Sequence, residues 1–122
     1  MRLEINGERL IKEVQEDFTC AYPFLKIEFF RNGAVRRHRY SEKEKIDQQQ
    51  KLKYSWFWKK DNGYVDIEDS TSVLELENAL IDEFGLSAQV YRKSGNVWLE
   101  TIMTDNWTLK QQNDHGREIQ GK

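Results

Sequence analysis

The apolar positions of this chain recur at a constant spacing of 62 residues, so that two stretches carry similar patterns. The dipeptide Asn32-Gly33 falls on Ser94-Gly95 in this comparison, and both pairs are typical of tight turns. The apolar matches are Leu3 with Val65, Ile5 with Ile67, Ile11 with Val73, Val14 with Leu76, Phe18 with Leu80, Tyr22 with Phe84, and Val35 with Val97. Since such a period describes architecture, we expect two similar units, 1–40 and 63–102.

The first unit predicts the order strand, helix, strand, strand. Residues 2–5 alternate polar and apolar side chains, as a half-buried strand does. Apolar residues spaced three and four apart predict a helix over 9–21, which Pro23 ends because proline cannot donate the next hydrogen bond. Residues 24–31 are rich in strand-forming side chains, and an Asn-Gly turn should lead them into a returning strand over 34–40.

The second unit repeats this order with clearer helix ends. Ser72 and Glu75 have the spacing of a capping box, and Gly85 suits a left-handed helix end. The first helix lacks an equivalent cap, because Leu10 stands where Ser72 stands, so we expect its start to fray. The strands predicted for this unit are 64–68, 87–93 and 96–103.

Three segments lie outside the repeat. Residues 41–53 open with a second capping box and then become polar, which indicates an exposed helix or a mobile crossover. The aromatic stretch 54–60 should form a hairpin with the first strand of the second unit. A third capping box, Thr108 with Gln111, predicts a short C-terminal helix that ends near Gly116.

The fold class expected from this pattern is α+β, with duplicated β-α-β-β units and helices on one face of a mainly antiparallel sheet. A ferredoxin-like arrangement fits the split βαβ order, and a β-grasp-like or swapped pseudo-dimer is the alternative. Chance similarity also stays open, since the apolar phase of 24–31 is shifted by one residue from that of 87–93. We expect a single domain over 1–122, with a basic, partly helical connection at 41–62 and a helical tail at 104–116.

Composition indicates a globular protein with an uneven charge. The chain has 122 residues, 15 of them aromatic, and a net charge of −2. Residues 31–60 hold ten Lys or Arg against three Asp or Glu, a charge of +7, whereas the remainder carries −9. One cysteine precludes an internal disulfide, and no apolar run approaches the ~20 residues of a membrane span. The N-terminus lacks a signal-peptide core, so we expect a cytoplasmic protein with no membrane partner.

Two segments of the sequence resemble a family of small bacterial proteins with no assigned function. They are FGLSAQVYRKSGNVWLET followed by TDNWTLKQQNDHG, with support from AYPFLKIEFF in the first half. The resemblance covers about two thirds of the chain and is weakest in the basic middle. It implies a compact α/β domain, and it implies no activity, cofactor or catalytic residue.

The candidate chemistry is sparse, and we expect no enzyme, no cofactor and no metal. Cys20, His38 and His115 lie far apart in different predicted elements, which does not favour a metal site. Cys20 lies near a helix C-terminus, where the helix dipole raises the pKa of a thiol and opposes nucleophilic use. Acidic helix residues indicate a solvated face; these are Glu75, Glu77, Asp82 and Glu83. No glycine-rich phosphate loop is present.

The basic, aromatic middle of the chain offers the first candidate binding surface. Cations beside aromatic rings are what single-stranded nucleic acid requires, because they neutralise phosphates and stack on bases. The candidate residues here are Arg36, Arg37, Arg39, Tyr40, Lys53, Tyr54, Trp56, Trp58 and Lys59. Two simpler interpretations compete: the tryptophans fill the core while lysines extend around them, or the charges protect an edge strand from aggregation.

Trp98 is the remaining candidate. If Val97 and Leu99 face the core, Trp98 faces outward unless the tail containing Trp107 covers it, and we favour that coverage. An uncovered Trp98 would be an anchor for a protein partner. The first functional hypothesis is therefore a non-catalytic module that binds protein, or itself, through an exposed sheet face or edge. The alternative is single-stranded nucleic-acid binding through the 31–60 strip.

Overall fold

The chain forms five strands and three helices in a computed structural model that describes residues 1–31, 42–55 and 58–120. The strands are β1 (Arg2–Asn6), β2 (Leu25–Phe30), β3 (Asn62–Asp66), β4 (Ser87–Ser94) and β5 (Val97–Glu100). The helices are α1 (Ile11–Ala21), α2 (Val73–Phe84) and α3 (Leu109–Gln120). The predicted α+β class is confirmed.

The strands pair in two antiparallel sheets rather than in the single sheet that we expected. β1 pairs with β3, with Leu3 opposite Val65, and the second sheet has the order β2-β4-β5. Each sheet therefore combines strands from both predicted units. The returning strand expected over 34–40 lies outside the described residues.

The apolar stripes predicted for the first two helices face the core. Ile11, Val14 and Phe18 of α1 are fully buried, and so are the four stripe residues of α2. Tyr22 follows α1, and its hydroxyl donates to the carboxylate of Asp69 at 3.0 Å. Burial of the hydroxyl, and to a smaller extent its interaction with Asp69, raises the pKa of Tyr22 to about 12.

The helix ends follow the predicted capping signals. The Ser72 hydroxyl accepts from the Glu75 amide at 3.0 Å, and the Glu75 carboxylate accepts from the Ser72 amide at 2.9 Å. Gly85 ends α2 with a φ of 71°, in the left-handed region that glycine adopts without strain. At α1 the Leu10 side chain cannot accept a hydrogen bond, so only the return bond from the Leu10 amide to the Glu13 carboxylate is made, at 2.7 Å.

Two predicted elements differ from the structure. The described part of 41–53 holds 3₁₀ turns at Glu42–Glu44 and Leu52–Tyr54 instead of an exposed helix, and Ile46 and Leu52 are buried. The predicted strand over 54–60 is wrong in its described part, since Tyr54 ends a 3₁₀ turn and 58–60 form no strand. Its expected partner β3 pairs with β1 instead.

The C-terminal helix is longer than predicted, because α3 passes through Gly116 and continues to Gln120. Gly116 is the point at which α3 approaches β2 and β4 closely. A Cβ atom at Gly116 would lie 2.8 Å from the Phe24 Cβ and 3.3 Å from the Arg92 Cγ. The glycine is therefore required by close packing and not by a helix end.

Candidate functional site: the exposed edge strand β5

Strand β5 follows β4 through a two-residue turn and lies at one edge of the three-stranded sheet. Gly95 in the turn has a φ of 62°, which permits the tight reversal. The register places Ser94 opposite Val97 and Lys93 opposite Trp98. Among the described residues, no further strand pairs with the outer side of β5.

The opposite edge of the same sheet is protected. The outward carbonyl oxygens of β2 accept hydrogen bonds from its neighbours: Leu25 from the Thr19 hydroxyl, Ile27 from the Gln15 amide and Phe29 from the Ile46 backbone amide. Side chains of α1 and the backbone of the segment around Ile46 thus take the place of another strand. The described residues provide no similar cover for β5.

The first face of β5 is apolar and exposed. Val97 is 56% exposed and Leu99 is 42% exposed, although the register sets Leu99 opposite Arg92, on the sheet face that also carries the buried Val90. Met103 lies a few residues further on and is 93% exposed. Natural edge strands commonly carry a charged side chain, a proline or a bulge that limits pairing; β5 ends with the exposed, charged Glu100, whereas Val97-Trp98-Leu99 carries none of these.

The second face of β5 carries Trp98 between two lysines. The Lys26 ammonium lies 5.1 Å from the centre of the Trp98 ring, and the Lys93 ammonium lies 5.7 Å from it. Lys26 also lies 5.3 Å from the centre of the Tyr91 ring. Trp98 is half-buried, and both ammonium groups lie beside its ring.

The tail does not cover Trp98 in the way that we expected. The ring of Trp107 packs edge-on against His115, with 5.7 Å between ring centres, and the Arg92 guanidinium lies 5.7 Å from the Trp107 ring centre. Arg92 belongs to the face of β4 that also carries Val90, the opposite face from Lys93. Trp107 and Trp98 therefore lie on opposite faces of the sheet.

The structure places the ten predicted site residues in different surroundings. Arg36, Arg37, Arg39, Tyr40 and Trp56 lie outside the described residues. Trp58 packs against the core and stacks on Phe84, with ring centres 6.1 Å apart. Tyr54 is 62% exposed and Lys59 is exposed. Trp58 thus fits the interpretation in which aromatic residues of this strip fill the core.

The lysines around Tyr54 are already paired. The Lys51 and Lys53 ammonium groups donate to the two carboxylate oxygens of Glu8, at 2.8 Å and 2.6 Å. The hydrogen bond from Lys51 has the largest effect on Glu8, followed by that from Lys53. Together they lower the pKa of Glu8 to about 2, so the carboxylate stays charged. The described part of the predicted basic strip therefore offers less free positive charge than its composition indicated.

Glu77 is the one acidic residue whose surroundings contradict the prediction of a solvated face. Its carboxylate accepts the backbone amide of Val90 at 3.0 Å, and beside it the Thr101 hydroxyl donates to the Val90 carbonyl at 2.8 Å. Burial of the carboxylate raises the pKa of Glu77 to about 8. The hydrogen bond from Val90 lowers the pKa by less than burial raises it, and the negative charge of Asp105 raises it further. Glu77 and Thr101 thus bond to the backbone of β4 at Val90, one residue beyond the last pair between β4 and β5.

Groups for metal binding are not assembled in the part of the chain that the structure describes. No three His, Cys, Asp or Glu side chains gather there in a way that could hold a metal ion. Cys20 is exposed, His38 lies outside the described residues, and His115 packs on Trp107. Within the described ranges, no helix has both the length and the apolar content needed to cross a bilayer.

Comparison with known proteins finds no matching family model, no matching curated protein and no matching solved structure. The functional proposals below therefore rest on the geometry of β5 and its neighbours.

Three residues of the Trp98 face were not among the sequence candidates: Lys26, Tyr91 and Lys93. They come from two different strands, and they meet Trp98 only because of the register between β2, β4 and β5. Of the three, only Lys93 could have been predicted from the sequence. The two-residue turn between Ser94 and Val97 sets those two residues opposite each other, and so sets Lys93 opposite Trp98.

Proposed function

We propose that the chain is a non-catalytic protein-binding module that pairs an extended segment of a protein with the outer edge of β5. The observation that carries this proposal is the edge formed by Val97, Trp98 and Leu99, where Val97 and Leu99 are exposed and none of the three side chains is charged. Strand addition suits such an edge, because the backbone groups of Trp98 face away from β4 and can bond to an added strand, while alternate side chains supply selectivity.

The partner segment should itself alternate in polarity. Its apolar side chains would lie beside Val97 and Leu99 on one face of the extended sheet, and they would remove exposed apolar surface from water. On the other face it would meet Trp98, with Lys26 and Lys93 nearby, and acidic side chains there would gain favourable charge interactions. The preferred ligand is therefore an extended, apolar and acidic peptide.

A peptide selection tests this proposal. A random peptide library displayed on phage would be selected against the wild-type chain, and the enriched peptides would be measured by titration against Val97→Lys. We expect binding to weaken by about tenfold or more, because the new ammonium opposes apolar pairing. Tyr54→Lys is the matched control, since it places lysine at an exposed hydrophobic position away from β5. Equal binding to wild type and Val97→Lys would refute the proposal.

The lysines around Trp98 favour a second candidate function, the binding of single-stranded nucleic acid. A base could stack on the exposed part of the Trp98 ring while Lys26 and Lys93 neutralise phosphates. Two such contacts give a slope of about −1.4 for the logarithm of affinity against the logarithm of salt concentration.

Tryptophan fluorescence titrations with short single-stranded RNA and DNA, at low and at physiological salt, test this candidate. The double variant Lys26→Ala/Lys93→Ala should weaken binding, whereas Lys51→Ala/Lys53→Ala removes the same number of charges at a place where both ammonium groups bond to Glu8 and should have less effect. Loss of binding only on replacing Arg36, Arg37 and Arg39 with alanine would place the contact in the 31–60 strip instead. Absence of quenching at low salt would eliminate this candidate.

A further inference from the structure

Helix α3 and the residue before its cap line a surface cavity of about 290 Å³ that lies apart from β5. Its lining residues are Trp107, Gln111, Asp114, His115 and Glu118. The last three follow Gln111 by three, four and seven positions, so the four helical residues form one stripe along α3. The cavity therefore combines an aromatic ring that precedes the helix with a polar stripe of the helix itself.

The rings of Trp107 and His115 form two walls of this cavity at a right angle. Their planes are inclined by 85°, and 5.7 Å separates the ring centres. Both residues are half-buried, so part of each ring is open to solvent. The faces of aromatic rings carry partial negative charge, and two perpendicular rings enclose a concave corner. Such a corner attracts a cation of low hydration through cation–π interactions.

Two carboxylates lie beside the aromatic corner. The Asp114 carboxylate accepts hydrogen bonds from Lys110 at 2.5 Å and from Arg117. The bond from Lys110 has the largest effect in lowering the pKa of Asp114, so this carboxylate stays ionised. Glu118 is exposed, and among the residues that the structure describes it forms no ion pair. The cavity thus contains a negative charge at Glu118 that no neighbouring cation neutralises directly.

Arg92 shows that the Trp107 ring already accepts a cation from the side of the sheet. The Arg92 guanidinium lies 5.7 Å from the ring centre, and it donates to the side-chain oxygen of the fully buried Gln112 at 2.7 Å. The cavity lies on a different stripe of α3 from Gln112, so a ligand would reach the ring from outside the fold. A second cation near Trp107 needs negative charge close by, which Asp114 and Glu118 supply.

We propose that the cavity on α3 binds a methylated ammonium group, with choline as the simplest ligand. A quaternary ammonium group has no N–H that requires an acceptor, and its methyl groups can pack against both rings while its charge meets their faces. The volume is near the lower end of the ~300–1,000 Å³ of ligand cavities, which favours a small cation. Because carboxylates repel anionic groups, choline should bind more tightly than betaine, which carries a carboxylate. This proposal does not depend on strand binding at β5.

Titration with choline, followed by two-dimensional proton–nitrogen NMR of the labelled chain, tests the site. We expect the Trp107 indole signal to shift. The neutral analogue of choline, in which carbon replaces nitrogen, should bind at least about fivefold more weakly. Trp107→Leu should weaken choline binding by about tenfold, and Glu118→Gln by about two- to fivefold. Trp98→Leu and Glu83→Gln are the matched controls, and both should bind choline as the wild type does.

Several results would overturn the site. They are equal binding of choline and its neutral analogue, a choline affinity unchanged in Glu118→Gln, or no shift of the Trp107 signal at the highest choline concentration. Glu118 is exposed, so its variant keeps the test decisive if Trp107→Leu does not fold. A peptide with one trimethylated lysine distinguishes two sources of the ligand. Tighter binding of this peptide than of choline would indicate a modified protein, the reverse order would indicate a free small molecule, and either order supports the site.

Discussion

Replacing Glu77 with glutamine should stabilise the fold and remove a defined part of its pH dependence. Glutamine keeps the shape of the side chain and retains an oxygen that can accept the Val90 amide, but it carries no charge. The carboxylate of Glu77 must instead be ionised inside the fold as the pH rises. The cost of that ionisation is what the substitution removes.

The sign of the effect follows from the direction of the pKa shift. Burial raises the pKa of Glu77 from the usual 4.5 to about 8, so the folded chain holds a proton that the unfolded chain has lost over this interval. The unfolded state then binds fewer protons than the folded state, and the free energy of unfolding falls as the pH rises from about 4.5 to about 8. Above the folded pKa the loss is complete.

The magnitude is set by the width of that interval. Each pKa unit corresponds to about 1.4 kcal/mol, so the full loss is of the order of 3–5 kcal/mol, with about 2–3 kcal/mol of it falling between pH 6 and pH 9. The advantage of Glu77→Gln over the wild type should therefore be small near pH 5 and largest near pH 9. Asp105 contributes to the shift, so part of the effect should also depend on it.

Urea unfolding followed by tryptophan fluorescence, repeated at several values from pH 5 to pH 9, measures this difference. Glu83→Gln is the matched control, because it makes the same substitution at an exposed position of α2. That control should shift stability by a few tenths of a kcal/mol with little pH dependence over this range. A Glu77→Gln advantage that is flat with pH, or that grows toward acid, would show that the group is not a buried acid with a raised pKa.

Three further predictions concern stability and use the same urea assay. Gly116→Ala should destabilise by about 1–3 kcal/mol because the new Cβ meets Phe24 at 2.8 Å, although alanine is the better helix former; a gain would mean that α3 can shift. Ser72→Ala should cost about 1 kcal/mol through loss of the cap, and Ser72→Thr, which keeps the hydroxyl, should restore most of it. Thr101→Val should cost about 1–3 kcal/mol by leaving the buried Val90 carbonyl without its partner, while Thr101→Ser should cost less.

The helices could be predicted from the sequence because their signals are local. Residues three and four apart define the buried stripes, and the Ser72 and Thr108 caps depend only on residues three positions away. The order of strands and helices followed in the same way. Those signals do not specify which strands pair. For that reason the sequence analysis expected one sheet, whereas the structure has two.

The aromatic stretch 54–60 shows how tertiary contacts override local preference. Its side chains favour a strand, but in its described part Tyr54 ends a 3₁₀ turn and the Trp58 ring stacks on Phe84. Glu77 was misjudged for a different reason. It lies four residues after Val73 and three before Leu80, on the border of the buried stripe, and that spacing was the available sign of its burial.

The candidate site could be predicted only in part. Trp98 was a candidate from its alternation with Val97 and Leu99, but the two lysines that flank it come from different strands. Their approach depends on the register of β2 with β4 and of β4 with β5, which the apolar pattern does not determine.

The pairing of β1 with β3 and of β2 with β4 makes the two halves of the chain mutually dependent. A fragment that ends within the connection between β2 and β3 would contain one strand of each sheet and the partner of neither. The complementary fragment keeps the β4–β5 hairpin but lacks β1, the partner of β3, and β2, the other partner of β4, so the two fragments, produced separately, should regain the native fold only when they are mixed. The same distant pairings must close long loops before they are stabilised, so the intact chain should fold more slowly than a helical protein of equal length.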